Sequence, residues 1–107
     1  MMRFGMILPN LGQLAIPDTL ITLARRADEL GLDGVFLSDH LALATTPHSR
    51  YPYRSDGTFP LRPDQPILEP IATAAYLAAV TSRIHLGFSV LVAPYRHPVL
   101  NAKMLST

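Results

Sequence analysis

The apolar positions of this 107-residue chain form three short continuous runs, separated by longer segments with helical spacing. The runs lack the polar alternation of half-exposed strands, which predicts three strands buried in a sheet. They cover residues 3–8, 34–38 and 84–92. Each helical segment has a proline in its first turn, where an amide hydrogen is not needed. These helices are predicted at residues 17–31, at residues 69–82 and from residue 97 onward.

The order of strand then helix, repeated three times, predicts an α/β fold with parallel strands joined by right-handed crossovers. Three parallel strands alone leave two unpaired edges. We therefore expect residues 1–107 to form one partial domain, the first three β/α units of a TIM (β/α)8 barrel of ~250 residues, incomplete at this length. A doubly wound nucleotide-binding domain is disfavoured, because residues 9–13 lack the spaced glycines of a phosphate-binding loop.

Three finer features of these elements are also predicted. The strand at 34–38 is expected to be central and covered on both faces. Gly87, inside the third strand, indicates a bulge or a close backbone approach. The second helix is rich in small residues that would let it approach the sheet closely, namely Ala72, Ala74, Ala75, Ala78 and Ala79.

Residues 41–66 show no periodicity and hold five of the ten prolines, including Pro47. They predict a long irregular loop. A loop well beyond ~12–15 residues inside an α/β unit is usually functional or disordered. The aromatic side chains of Tyr51, Tyr53 and Phe59 favour a loop that packs against the rest of the protein.

Composition narrows the classes of partner. The chain is 49% hydrophobic and 16% charged, and it carries a net charge of +1. Its basic residues are scattered along the sequence, so it lacks the basic cluster by which proteins bind nucleic acid or an anionic membrane. It has no cysteine, which excludes disulfides and thiolate metal sites. No apolar run is long enough for a signal peptide or a membrane span, so we expect a cytoplasmic protein.

The strand at 34–38 runs into Asp39 and His40, an acid and an imidazole at the end where parallel barrels carry their chemistry. The same edge should receive Asn10 and the segment after Ser89-Val90. Adjacent side chains on a strand point to opposite sides, so the two residues should have different roles. His40 would be an acid or base, and Asp39 would orient a polar group. The alternative, that both only cap the loop, stays open.

Other chemistries have weak support. No two histidines have the spacing of metal ligands, so no metal site is predicted. Ser38 and Ser89 lack the motif around a nucleophilic serine. His48, in the loop, is interpreted as solvated.

Several segments, taken in order, resemble the bacterial luciferase-like monooxygenase family. The first is Arg3-Phe4-Gly5, and the second runs from Ala27 to Gly31 and from Asp33 to His40. The third comprises residues 81–87, Ser89-Val90 and Arg96-His97-Pro98. The resemblance covers nearly the whole chain except the proline-rich loop.

That resemblance implies a TIM-barrel oxidoreductase that uses either reduced FMN with oxygen or the deazaflavin coenzyme F-420 for hydride transfer. The Ser-Asp-His strand end favours the deazaflavin branch. It implies that His40 lies beside the reactive ring and is catalytic. It also implies a non-proline cis peptide at Ser89-Val90, with Asp39, Ser89 and Val90 lining the ring, while the loop covers the substrate side.

The expected partners are a small organic substrate and either further copies of the chain or the rest of the barrel. A third possibility is a truncated piece without catalytic activity, acting only as an assembly module through its open sheet edges.

Overall fold

The computed structural model describes residues 1–46 and 48–107 and places three strands of this part of the chain in one parallel sheet. The strands are β1 (Gly5–Ile7), β2 (Gly34–Leu37) and β3 (His85–Phe88), and the helices are α1 (Pro17–Glu29), α2 (Pro70–Ala78) and α3 (Pro98–Leu105). β2 is the middle strand and pairs in parallel with both neighbours. The predicted α/β fold built from parallel β/α units is confirmed.

The three helices begin at the prolines that the sequence pattern indicated. These prolines fit because the first-turn amides of a helix have no partner within it. α2 also has a side-chain cap, since the Glu69 carboxylate accepts a hydrogen bond from the Ala72 amide at 2.6 Å. Within residues 1–46 and 48–107, none of the helices has the length and apolar character of a membrane span.

The hydrophobic core lies between one face of the sheet and helices α1 and α2. Val35 and Leu37 of β2 point into it, and each is 1% exposed. They belong to one cluster with Leu20 and Ala24 of α1 and Leu77 of α2, all of which are fully buried. Burying an aliphatic side chain of this size contributes about 1.5–3 kcal/mol, so this layer holds the two helices on the sheet.

The opposite face of the sheet is largely open, and the ring of Phe36 covers its middle. A Cβ atom built at Gly5 of β1 or at Gly87 of β3 would lie 2.7 Å from carbons of that ring. Gly87 pairs in register with Phe36, so this glycine permits a close approach and not a bulge. β2 is central as predicted, but its expected cover on both faces is wrong for the described residues, since Phe36 is 37% and Ile7 61% exposed.

Only one of the five alanines that were predicted to let α2 approach the sheet is buried. Ala74 is buried, whereas the other four are exposed. Successive helix residues are turned by about 100°, so a run of alanines cannot all face one layer. Ala72, Ala75 and Ala78 instead line a groove of about 690 Å³ that Met104 of α3 also borders.

β3 ends at Phe88, earlier than the strand predicted over residues 84–92. The Ser89 amide makes a last strand-to-strand hydrogen bond of 2.8 Å, and the chain then leaves the sheet. The Val92 amide is bonded to the Asp39 side chain instead of a neighbouring strand. The apolar residues 90–92 therefore form a turn, which leads into a short 3₁₀ helix, Ala93–Tyr95.

The connection from β2 to α2 consists of turns and bends in its described residues. Pro47, one of the prolines predicted in it, lies outside the described residues. Two hydrogen bonds tie the end of this connection to the loop after β1. The Gly12 amide donates to the Pro66 carbonyl at 2.9 Å, and the Leu68 amide donates to the Asn10 carbonyl at 3.0 Å. The connection thus returns to the carboxyl edge of the sheet.

Candidate functional site

Asn10 joins the ends of β1 and β2 at the carboxyl edge of the sheet, where it is 1% exposed. Its side-chain amide donates to the Ser38 carbonyl at 2.8 Å and to the Leu68 carbonyl at 3.1 Å. Its side-chain oxygen accepts from the Ser38 amide at 2.9 Å. Because the protein itself pairs these groups, Asn10 organises the edge and has little hydrogen-bonding capacity left for a ligand.

Asp39, just after β2, has a fully buried side chain. Arg96 donates two hydrogen bonds to its carboxylate, at 2.7 and 3.0 Å, and the Val92 amide donates a third at 2.9 Å. These donors hold the pKa of Asp39 below its ordinary value of 3.8, and the bonds from Arg96 are the largest cause. Asp39 is therefore ionised at neutral pH and fastens the turn after β3 to the end of β2.

Arg96 also donates to a second carboxylate, that of Glu69, and its own side chain is only 8% exposed. Glu69 caps α2, so Arg96 connects the end of β2, the turn after β3 and the start of α2. The hydrogen bonds to Asp39 are the main cause that raises the pKa of Arg96 above its ordinary value. Asp39, Arg96 and Glu69 together carry one net negative charge, and the Glu69 side chain is 35% exposed.

His40 lies on the other side of the β2 end from the Asp39 carboxylate. Its ring packs on Phe59, with the ring centroids 5.7 Å apart, and it borders the same cavity as Pro9 and Asn10 after β1. Asp39 instead contacts Val92 and Arg96, beyond β3. Neighbouring residues on an extended backbone point in opposite directions. The predicted separation of the two side chains is confirmed.

The His40 imidazole is not fully paired within the protein. Its Nδ1 atom is buried and has no hydrogen-bond partner among residues 1–46 and 48–107. A buried polar atom without a partner costs about 1–3 kcal/mol of stability, so such atoms are rare in folded proteins. A bound molecule that reached this nitrogen would remove that cost.

A cavity of about 500 Å³ lies beside His40, between the end of β1 and the loop 41–66. Its lining contains no Asp, Glu, Lys or Arg and is mostly apolar or aromatic: Ile7, Leu8, Pro9, Asn10, Leu11, Ser38, His40, Tyr51, Tyr53, Phe59, Pro60 and Leu61. Within the described part of the chain, no cluster of three or more His, Cys, Asp or Glu side chains could hold a metal ion. The volume and the mostly apolar lining of the cavity suit a small organic molecule.

Ser89 and Val90 follow β3 at the same edge of the sheet, and the peptide between them is cis, as the sequence resemblance implied. Both residues are exposed, and Val90 is 68% exposed. They do not border the cavity beside His40. The edge thus presents an imidazole on the β1 side of β2 and an exposed turn on the β3 side. The predicted contacts of Asp39, Ser89 and Val90 with a cofactor stay predictions.

Sequence reasoning missed the parts played by Arg96 and Glu69. Arg96 lies in the segment Arg96-His97-Pro98, which enters the sequence analysis only through the family resemblance. Its partner Asp39 is far away in sequence, and no local pattern connects the two residues.

The sequence of this chain matches a family model and several known proteins. The family model described as luciferase-like monooxygenase matches residues 2–107. Uncharacterized proteins from Mycobacterium bovis and from two strains of Mycobacterium tuberculosis are each 36% identical over 83 residues, or 78% of this chain and 29% of each relative. The aligned part thus spans less than a third of these relatives.

No solved structure matches the chain significantly. The luciferase-like monooxygenase family folds as a TIM barrel, and its members generally bind flavin or deazaflavin cofactors. Three parallel β/α units with polar side chains gathered at their carboxyl edge are consistent with that fold. The chain belongs to the luciferase-like monooxygenase family.

Proposed function

We propose that this chain supplies part of the active site of an oxidoreductase that transfers a hydride between coenzyme F-420 and a small organic substrate. The observation that carries the proposal is the position of His40. It lies at the carboxyl end of the central strand, beside a mostly apolar cavity, and its buried Nδ1 has no partner in the described residues. In parallel barrels this end of the strands carries the catalytic side chains.

The residues present are compatible with a flat organic cofactor. The unpartnered nitrogen of His40 offers one hydrogen-bonding position. The exposed residues Val90 and Ser89 offer an apolar and a polar contact at the same edge. When bound, the deazaflavin would supply the hydride chemistry, which side chains cannot perform alone.

His40 would hold or move the proton that accompanies this transfer. An imidazole can do both near neutral pH, and a positioned acid or base typically contributes about 10²–10⁴-fold to the rate. Phe59, which packs on His40, would help to exclude water from the imidazole. Asp39 has both carboxylate oxygens bonded within the protein, so its part in the proposal is to hold Arg96 and the Val92 amide in place.

An FMN-dependent monooxygenase of the same family is the alternative. The sequence Ser38-Asp39-His40 at the end of β2 favours F-420, because it resembles the deazaflavin branch. The cytoplasmic location expected from the sequence stays a prediction.

Absorbance titrations of the protein with F-420 and with FMN distinguish these cofactors. We expect tighter binding of F-420. Strong retention of FMN without reduction of F-420 would overturn the choice. His40→Asn should lower the rate of hydride transfer by about 10²–10⁴-fold. His85→Asn is the matched control, because His85 is exposed and begins β3 at the opposite edge of the sheet.

The open face of the sheet favours a second candidate, a module that acts through assembly. Ile7 and Phe36 on that face are 61% and 37% exposed, and we propose that other strands of a barrel or another copy of the chain cover them. Light scattering of the isolated chain tests this proposal. A monomer that stays stable at high concentration would count against it.

A further inference from the structure

A continuous row of aromatic rings stands over the cavity beside His40. The His40 ring packs on Phe59, and Phe59 meets the edge of Tyr51 with ring centroids 5.0 Å apart. Tyr51 in turn meets Tyr53 at 5.4 Å, again edge to face. Edge-to-face pairs at these distances attract each other, so the three loop rings support one another. They form a wall, here called the aromatic wall, made of Tyr51, Tyr53 and Phe59.

The cavity under the aromatic wall has the size and lining of a small-molecule site. Its volume of about 500 Å³ lies within the range of about 300–1,000 Å³ usual for ligand pockets. None of its lining residues is Asp, Glu, Lys or Arg. The polar groups along it are an imidazole, hydroxyls and the Asn10 amide, and that amide is already bonded to Ser38 and Leu68.

The arginine side chains near this site do not line the cavity. Arg96 is paired with Asp39 and Glu69 on the far side of the β2 end. Arg50 borders a different cavity of the loop. A phosphate or carboxylate beside His40 would lose water and meet no lysine or arginine in the cavity lining; the imidazole is the one lining side chain that could carry a positive charge, so binding of an anion is unfavourable. An alcohol or carbonyl oxygen loses far less and can pair with the imidazole.

We infer that this cavity binds the reacting part of the substrate, and that this part is uncharged and apolar, preferably a ring, with one hydroxyl or carbonyl oxygen at His40. The aromatic wall selects for that class by contact with the ring. This inference rests on the proposed function, because it assigns the substrate side of the same site. It excludes anionic substrates such as sugar phosphates from this position.

Nuclear magnetic resonance of the chain with labelled histidine tests the inference directly. The probes are benzyl alcohol and benzoate, which share a ring and differ in charge. We expect benzyl alcohol to shift the His40 imidazole signals saturably, and benzoate to bind at least about tenfold more weakly, the ratio expected from ~1.4 kcal/mol of unpaired charge. The signals of exposed His85 should stay in place with either probe.

Two variants connect the binding to the wall. Phe59→Ala should weaken the binding of benzyl alcohol by about tenfold, because it removes one aromatic contact. Tyr76→Ala is the matched control, since Tyr76 is an exposed ring of α2 outside this cavity and its loss should leave the affinity unchanged. Circular dichroism verifies that both variants fold, and the two-probe comparison on the unchanged protein does not depend on either variant.

The outcomes separate this inference from the proposed function. Equal or tighter binding of benzoate, or no saturable shift of His40 with benzyl alcohol, overturns the inference even if F-420 binds in the absorbance titration. Selective binding of benzyl alcohol at His40 supports the assigned ligand class. If that selectivity occurs while neither F-420 nor FMN binds, the cavity assignment stands and the proposed oxidoreductase function falls.

Discussion

Asp39 and Arg96 form a two-bond ion pair that joins the end of β2 to the segment after β3. The guanidinium nitrogens lie 2.7 and 3.0 Å from the carboxylate oxygens, and the two side chains are 0% and 8% exposed for Asp39 and Arg96. Pairs buried to this degree are barely screened by salt. The pair therefore fixes the position of the turn after β3.

Replacement of Arg96 should strongly destabilise the fold. Arg96→Met leaves the buried Asp39 carboxylate without its partner, and removal of one member of a buried pair typically costs ~3–5 kcal/mol. Arg96→Lys should recover only part of that loss, because an ammonium group cannot form the two parallel bonds. Urea unfolding measures both free energies.

Arg62→Met provides the control for that experiment. Arg62 pairs with Asp64 at 3.0 Å, but both side chains are about two-thirds exposed. Such a surface pair contributes about 0–1 kcal/mol. Equal losses for the Arg62 and Arg96 variants would show that burial of the Asp39 pair has no energetic weight.

The stability of the protein should fall in acid partly through Asp39. Its pKa is lowered in the folded state, chiefly by hydrogen bonds from Arg96, whereas the unfolded chain has the ordinary value of 3.8. The stabilisation is therefore present above 3.8 and is lost as pH falls below that value toward the folded pKa. Below pH 4, the free energy of unfolding should decline less steeply in Asp39→Asn than in the unchanged protein.

Other carboxyl groups contribute to the same decline, so the comparison needs a matched variant. Asp64 also has a lowered pKa, caused first by its hydrogen bonds with Arg62. Asp64→Asn should change the slope less than Asp39→Asn, because water screens this exposed pair. If the Asp39 variant folds poorly, a carbon-13 titration of the Asp39 carboxyl in the unchanged protein measures its pKa directly, and we expect that pKa to lie below 3.8.

A methyl group at Gly87 should clash with Phe36. Gly87→Ala would place Cβ 2.7 and 2.8 Å from two ring carbons, which forces a shift of the ring or of β3. Overpacking of this kind costs about 1–3 kcal/mol. Phe36→Leu removes the ring and should make the added methyl less harmful. A double-mutant cycle of unfolding free energies should therefore give a favourable coupling, and simple additivity would contradict the proposed clash.

Loss of the Asn10 side chain should open the carboxyl edge locally. Asn10→Ala leaves the Ser38 amide, the Ser38 carbonyl and the Leu68 carbonyl without the partners they now have. Each unpaired buried group costs about 1–3 kcal/mol, so we expect a loss of about 3 kcal/mol or more for the three groups. Amide exchange should accelerate at Ser38 far more than at Ser89, whose bond to the Leu37 carbonyl remains. Equal protection of Ser38 in both proteins would contradict this role.

Local signals were enough to predict the elements and their order. The prolines at the helix starts and the continuous apolar runs are short-range features, and the helices begin where they indicated. The end of β3 was mispredicted because residues 90–92 are as apolar as a strand. The Val92 amide donates to the Asp39 carboxylate, which lies far away in the sequence, and not to a neighbouring strand.

The candidate site could be predicted only in part for the same reason. Asp39 and His40 were found because they directly follow an apolar run, and the pleat of the backbone correctly placed them on opposite sides. The aromatic residues of the loop were noticed, but their contact with His40 depends on how the loop folds back. The Arg96 pairing with Asp39 and Glu69 is a tertiary relationship that no spacing reveals.

The ring of Phe36 reaches two flanking strands, so one side chain provides the bulk for several backbone positions at once. A substitution at Phe36 must then be matched by substitutions at Gly5 or Gly87. A smaller residue at Phe36 should be tolerated in related sequences mainly where Gly5 or Gly87 has gained a side chain. An alignment of the family can reveal this covariation without any measurement on the protein.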